Sequence, residues 1–151
     1  MKTNWTIQVF SELTAYELYA IIRLRNEVFV VEQNCVFQDA DNHDQVSHHI
    51  CGWKEGKIAA YARVLPPGEI YEQPSIGRVV TARSSRKQQT GKELMQNAIS
   101  FTQATYVGMD ITIGAQLYLL AFYGSLGFKK TGDIYLEDGI EHIKMNLKFV
   151  Q

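Results

Sequence analysis

The decamer Arg86-Lys87-Gln88-Gln89-Thr90-Gly91-Lys92-Glu93-Leu94-Met95 brings cations, a glycine and a helix start together within one short stretch. It follows the apolar pair Val79-Val80, and Leu94, Met95, Ala98 and Ile99 then recur at the spacing of a helix with one buried face. A strand, a short loop and a helix start make an anion site. Free backbone N–H groups and the positive end of the helix macrodipole face whatever lies in front of the helix. Arg86, Lys87 and Lys92 add full charges there. Neither G-x-x-x-x-G-K-[ST] nor G-x-G-x-x-G is present, so this is not a nucleotide loop of either common kind. A plainer reading stands beside the first. Thr90 and Glu93 have the S/T-x-x-E spacing of a capping box, which would use one of the free amides.

A second stretch lies further along. Ile111 to Ala115 reads as a strand, and Gln116 to Leu126 as a helix ended by Gly127. Leu119, Phe122 and Leu126 share a face of that helix, with Tyr123 one step around it. On periodicity alone this segment is equally a core aromatic helix.

Taken together, the two stretches resemble the acyl-CoA site of the GNAT (N-acetyltransferase) superfamily. Arg86 and Gly91 match the first and last positions of its pyrophosphate loop, [RQ]-x-x-G-x-[GA], while Gln89 stands where the first glycine is expected. Phe122-Tyr123-Gly124-Ser125-Leu126-Gly127-Phe128 is similar to the LYxKxGF stretch that closes the acetyl-CoA site. Gln116, seven residues before Tyr123, takes the place of an asparagine that contacts the cofactor. The stretch from Leu24 to Cys35, with Asp39-Ala40-Asp41, His49 to Trp53, Ala60 to Arg63 and Gly77-Arg78-Val79, is similar to the ElaA-like branch, in which a charged residue also replaces the first loop glycine.

The resemblance implies an acetyltransferase that uses acetyl-CoA as co-substrate and passes the acetyl group to an amine by direct attack in a ternary complex. It implies that Arg86, Lys87, Gln88, Gln89, Thr90, Gly91 and Lys92 hold the diphosphate. Val79, Val80 and Thr81 would offer backbone groups to the pantetheine arm, since the central strand and the next one splay apart, and Gln116 and Phe122 would line the far wall. A backbone N–H near Val80 would polarise the thioester, and Tyr123 would serve as general acid toward the thiolate. Two other readings keep the site: a longer acyl-CoA as donor, or a non-catalytic acyl-CoA sensor.

The acceptor is a small molecule or peptide bearing an amine. That amine must lose a proton, and Glu32, Asp41, His48 and His49 are the candidate bases, with no spacing that selects one. The acidic loop around Asp39, Asp41 and Asp44 is read as a lure for a cationic acceptor. As a calcium loop it fails, because Asp44 sits where the turn glycine belongs and Ile50 where the bidentate glutamate belongs. No spacing resembles a zinc site, and no metal is expected.

Around these residues the chain alternates strands and helices. Trp5 to Phe10 is a strand, and Thr14-Ala15-Tyr16-Glu17 caps a helix running to about Val31, with Arg25 on its apolar stripe in need of a partner. Glu32 to Ser47 is a long polar loop. His49 to Trp53 and Lys57 to Leu65 flank a turn at Glu55-Gly56, Ser75 to Thr81 forms the central strand, and Glu137-Asp138-Gly139 turns the chain into a last amphipathic strand through Ile143, Met145 and Leu147. The order β-α-β-β-β-α-β-α-β-β points to one α/β (α+β) domain over residues 1–151, a single mixed, mostly antiparallel sheet flanked by helices.

At 151 residues the chain has the length of one domain with a real core, and 46% hydrophobic and 21% charged residues are ordinary for a globular protein. A net charge of −1 with no basic patch argues against nucleic acid. No apolar run is long enough for a membrane span, and Met1-Lys2-Thr3-Asn4-Trp5 lacks a signal-peptide core. Cys35 and Cys51 are too few for a disulfide framework and read as reduced thiols, so a cytoplasmic location is expected. Edge strands leave room for a homodimer.

Overall fold

The computed structural model describes residues 2–151; Met1, the first residue of the N-terminal stretch read above, lies outside them. Strand β1 (Asn4–Val9) leads to helix α1 (Ala15–Arg25). The capping box forms as expected: Glu17 N–H donates to Thr14 Oγ1 at 3.1 Å, and Thr14 N–H donates to Glu17 Oε1 at 2.8 Å. Helix α1 passes directly into a π-helical segment, Asn26–Glu32, so the expected helix length is kept while its last turns are widened. Such widened turns gather where a protein sets backbone for function.

Strands β2 (His48–Lys54) and β3 (Lys57–Leu65) form a hairpin whose turn residues Glu55 and Gly56 have φ of 50° and 75°. Positive φ at both positions gives the turn the twist of its strands. With β4 (Ser75–Thr81) these strands make a sheet in the order β1-β2-β3-β4. Helix α2 (Thr90–Thr105) follows, then β5 (Ile111–Gln116), the short helix α3 (Leu120–Ser125), β6 (Lys129–Glu137) and β7 (Ile140–Leu147). The last three strands form a second sheet, β5-β7-β6.

The expected element order, and a mostly antiparallel sheet flanked by helices, are therefore what the chain adopts. Every laddered pair is antiparallel. The sheet is opened into two halves between β4 and β5, where Thr112 N–H donates to the Pro74 carbonyl at 3.1 Å and no ladder continues among the described residues. A bulge in β4 contributes to the opening. Register steps from Arg63–Gly77 to Tyr61–Val80, two residues on β3 against three on β4, and the extra residue, Arg78, has φ of 48°. Bulges bend and twist the strand that carries them.

Helices cover both faces of the first sheet. Ile50, Ala60, Ala62 and Val64 pack with Leu94, Met95 and Ala98 of α2, and this core continues into Ile113, Ala115, Ile143 and Met145 of the second sheet. Cys51, Tyr61 and Val80 point the other way, onto Ile21, Leu24 and Val28 at the end of the long helix. Burial on both faces explains why β3 is apolar from Ile58 to Leu65 except at Arg63.

Candidate functional site

Helix α2 starts without a side-chain cap among the described residues, and its N-cap, Gln89, is left-handed at φ 63° and ψ 9°. The capping box proposed at Thr90 does not form. Instead the Thr90 hydroxyl accepts from Lys54 Nζ at 3.0 Å, and the same ammonium donates to Gln88 Oε1 at 3.0 Å. The first-turn amides are thus left facing the space ahead of the helix, which is what an anion needs. Gln89 supplies a backbone conformation that glycine adopts freely and that costs other residues roughly 1–2 kcal/mol. Glycine's usual place in this loop thereby gets a geometric reason.

Between β4 and β5 lies a cleft of about 1140 Å³. It collects Val79, Val80, Thr81, Arg86, Gly91, Gln116, Phe122 and Tyr123 from four separate elements. Lys87, Gln88, Gln89, Thr90 and Lys92 belong to the loop and helix start outside this lining, and Gln88 and Thr90 border a shallower depression with Lys54. Lys54 was invisible as a site residue in the sequence because it reaches the loop from β2.

Backbone direction in β4 follows from register. Ala82 N–H donates to the Ala59 carbonyl at 2.8 Å, and Thr81 and Val80 lie opposite Ala60 and Tyr61. Amides alternate sides along a strand. The Val80 amide therefore turns toward β3, and those of Val79 and Thr81 toward the opening. The backbone N–H groups near Val80 that face the opening are thus those of Val79 and Thr81.

Across the gap, Gln116 ends β5 instead of starting a helix, and a 3₁₀ turn, Leu117–Leu119, comes before α3. Its side-chain oxygen accepts from Gln33 Nε2 at 3.1 Å, so the end of the long helix reaches over to β5. Cys35 Sγ makes a parallel link, donating to the Asp138 carbonyl at 3.1 Å. Tyr123 lines the cleft while its ring stands edge-on to Phe122 and Phe128, at 5.2 and 6.0 Å between centroids. Burial pushes its phenol pKa above the ordinary value, which keeps the proton on oxygen.

The acidic loop does not do what its composition suggested. Arg25 Nε donates to Asp39 and its Nη1 to Asp44, each at 2.8 Å. Arg63 binds Asp41 through both terminal nitrogens and Asp44 at 2.9 Å, and Arg78 pairs with Asp39 and Asp41 at 2.9 and 3.2 Å. Arg25 and Arg63 are 1% and 2% exposed, so three arginines from α1, β3 and β4 neutralise the loop from within. No charge is left over to attract an acceptor. For Asp41, burial alone would raise the pKa, but the bonds from Arg63 and the charge of Arg78 overcome it and hold the carboxyl well below its usual range.

The other base candidates are engaged or elsewhere. Glu32 grips Arg86 and Arg83. His48 packs on Phe101 away from the cleft, at 4.8 Å between centroids. His49 is fully buried, with its ring nitrogens bonded to Tyr61 Oη at 2.6 Å and the Asp44 carbonyl at 2.8 Å, and burial lowers its pKa. Sequence reasoning missed other groups that line the cleft: Tyr71, Tyr135, Glu137, His142, and His43, whose Nδ1 is bonded to Glu69. The alternation of His142 with Ile143 in β7 was legible, but not which sheet face would border a cavity. Among the described residues no group of three or more His, Cys, Asp or Glu side chains is arranged to hold a metal ion.

A family model described as "Acetyltransferase (GNAT) domain" matches residues 12–149. Protein ElaA of Escherichia coli is 39% identical over 150 residues, covering 98% of each chain, and its crystal structure superposes with a TM-score of 0.92 over 97% of this chain and all of that one. The crystal structure of an acyl-CoA N-acyltransferase from Pseudomonas aeruginosa is 40% identical, with a TM-score of 0.92 over 97% of this chain and 99% of that one. An aminoglycoside 6'-N-acetyltransferase complexed with coenzyme A shares the fold at 16% identity, with a TM-score of 0.71 over 97% of this chain and 98% of that one. The open helix start, the parted strands and this agreement along nearly the whole chain lead to one assignment: the protein belongs to the acetyltransferase (GNAT) domain family, alongside ElaA.

Proposed function

We propose that this protein transfers an acetyl group from acetyl-CoA to an amine by direct attack while both are bound. One observation carries the reading: an uncapped helix start beside Arg86 opens into a cleft that runs between diverging strands to Tyr123. The coenzyme A complex of the distant aminoglycoside 6'-N-acetyltransferase supports a coenzyme A thioester as the donor.

Each residue then has a task. The α2 amides and Arg86 accept a diphosphate, with Lys54, Lys87 and Lys92 adding positive field at the loop. The Thr81 amide pairs with an amide group of an extended arm, as an added strand would. An N–H at Val79 stabilises charge growing on the thioester oxygen. Tyr123 donates a hydrogen bond to the departing sulfur. Free thiols are stronger acids than free phenols by about 1.5 pKa units, and burial raises the Tyr123 phenol further, so Tyr123 steadies a thiolate more readily than it gives up its proton. The cleft volume exceeds the roughly 300–1,000 Å³ of ordinary ligand pockets, leaving room for an acceptor beside the arm.

The test measures free thiol released from acetyl-CoA across a panel of primary amines, with longer acyl-CoAs in parallel. Faster turnover with acetyl-CoA supports acetyl transfer, whereas a preference for a longer chain replaces it. Binding of the thioester with no turnover makes the protein a sensor, and failure to bind coenzyme A at all overturns the reading. Two free cysteines suit a reducing compartment, so the cytoplasm belongs to the same proposal, with cell fractionation as its test. Among the described residues no helix is long and apolar enough to cross a membrane. Edge strand β6 exposes Ile134 and Leu136, and light scattering tests whether two copies pair there.

A further inference from the structure

We infer that His142 takes the proton from the acceptor amine, and that the part of the cleft around it receives that amine. This rests on the acyl-transfer reading above.

His142 is 7% exposed and lines the cleft from β7. It lies directly opposite Gln116 of β5 on one side and Tyr135 of β6 on the other. Neighbouring strands stand about 5 Å apart, so the imidazole is one strand away from the cleft wall that faces the thioester. Height agrees as well. Counting from the shared bond between Thr112 and Pro74, Gln116 is four residues along β5 and Val79 five residues along β4.

Its tautomer is set by its partner. Nδ1 is 2.8 Å from the Ile140 carbonyl, which can only accept, so Nδ1 carries the hydrogen and the neutral ring presents a lone pair at Nε2. The carboxylate of Glu137 is 3.7 Å from Nε2, too far to bond and unable to donate. Once Nε2 is protonated, the same carboxylate faces a cation and stabilises it. The other titratable or charged groups around the ring are Tyr135, tilted against it at 5.7 Å between centroids, Lys144 on the same face of β7, Glu141, and Tyr71 from the β3–β4 connection.

Glu137 and Asp138 also line the cleft, but a carboxylate is an intrinsically weaker base than an imidazole, and the other candidates are engaged or distant. Asp41 and Glu32 are bound by arginines, and the Nδ1 of His43 is bound to Glu69. Glu69 belongs to the connection at the Ser75 end of β4, some 13 Å short of Val79 at strand rise.

The step balances without any further reagent. The amine nitrogen bonds the acyl carbon, the carbon–sulfur bond breaks, and the nitrogen's proton passes to His142 Nε2 and from there to the thiolate or to water. The surroundings also define the acceptor. The hydroxyls of Tyr71 and Tyr135 converge over Gly114, where an added Cβ would meet them at 3.0 and 2.5 Å. With Phe37 they give flat apolar walls, and Glu137 attracts the ammonium at the rim. A primary amine on an aromatic or apolar body fits this half.

The experiment uses His142→Asn in the full chain, because an Asn amide can keep the donor toward the Ile140 carbonyl while removing Nε2. With any amine that the wild type acetylates, kcat/KM should fall about 100-fold or more, while acetyl-CoA affinity should hold. An unchanged kcat/KM overturns the assignment while leaving acyl transfer intact. No turnover of any amine by the wild type overturns both. A second measurement needs no acceptor: long-range ¹⁵N–¹H spectra of the wild type should show His142 as the Nδ1–H tautomer, and an Nε2–H tautomer rejects the proposal.

Discussion

The Glu32 carboxylate bonds both terminal nitrogens of Arg86, at 2.7 and 3.1 Å, and so sits on the cation assigned to the diphosphate. The hydrogen bonds from Arg86 hold the Glu32 carboxyl below its ordinary pKa. On the proposed reading, an incoming diphosphate displaces this internal anion. Glu32→Gln should therefore lower the Kd for acetyl-CoA several-fold at low salt, while Arg86→Ala should raise it about ten-fold or more. Calorimetric titration of both variants at two salt concentrations checks the pair.

Tyr123 is packed between two aromatic rings and lines the cleft. Tyr123→Phe keeps that packing and removes only the donor. We expect kcat to fall by roughly 10- to 100-fold, with acetyl-CoA affinity unchanged. Equal kcat would reduce the residue to a wall.

Asp44 accepts from Arg25 and Arg63, both almost wholly buried. Asp44→Asn leaves two buried guanidiniums short of a counter-charge, and about 3–5 kcal/mol of stability should be lost. Urea unfolding at neutral pH measures it.

The same network sets the acid response. Burial works to raise the pKa of Asp41 and Asp44, but the arginines prevail and both folded-state values lie below the unfolded ones. A depressed carboxyl stabilises fully above its unfolded pKa of about 3.9 and stops doing so as pH falls through the folded value. Thermal stability should thus change little from this source between pH 7 and pH 5, then drop steeply below about pH 4. A flat Tm down to pH 3 would contradict the linkage.

Gln89 holds φ 63° at the start of α2 without a side-chain cap. Glycine there removes the left-handed penalty, so Gln89→Gly should come out near-neutral to about 1 kcal/mol more stable, after the entropy that glycine adds to the unfolded chain. Thermal unfolding reads it directly. A loss of 1 kcal/mol would mean that the side chain makes a contact worth more than the strain.

The features legible in the sequence were local ones. The cap at Thr14, the turn residues Glu55-Gly56 and Asp138-Gly139, and the apolar periods of β7 and α2 act over a few residues, and each appears where its pattern placed it. Arg25 announced that it needed a partner, but nothing local named Asp39 and Asp44, which are 14 and 19 residues away. The same limit turned the aspartate loop into a false lure, because composition counts charges without showing which are already paired.

What the amino-acid order determined by itself was therefore the succession of strands and helices and the placing of Arg86, Lys87 and Lys92 beside the start of α2. Tertiary structure alone decided that β4 would carry an extra residue and part from β5, that Lys54 would claim the Thr90 hydroxyl, and that Gln116, His142 and Tyr135 would form one row across three strands. The division has a physical cause. Backbone preference and side-chain period are properties of neighbours along the chain, whereas register and charge pairing are settled only when distant segments compete for the same partners.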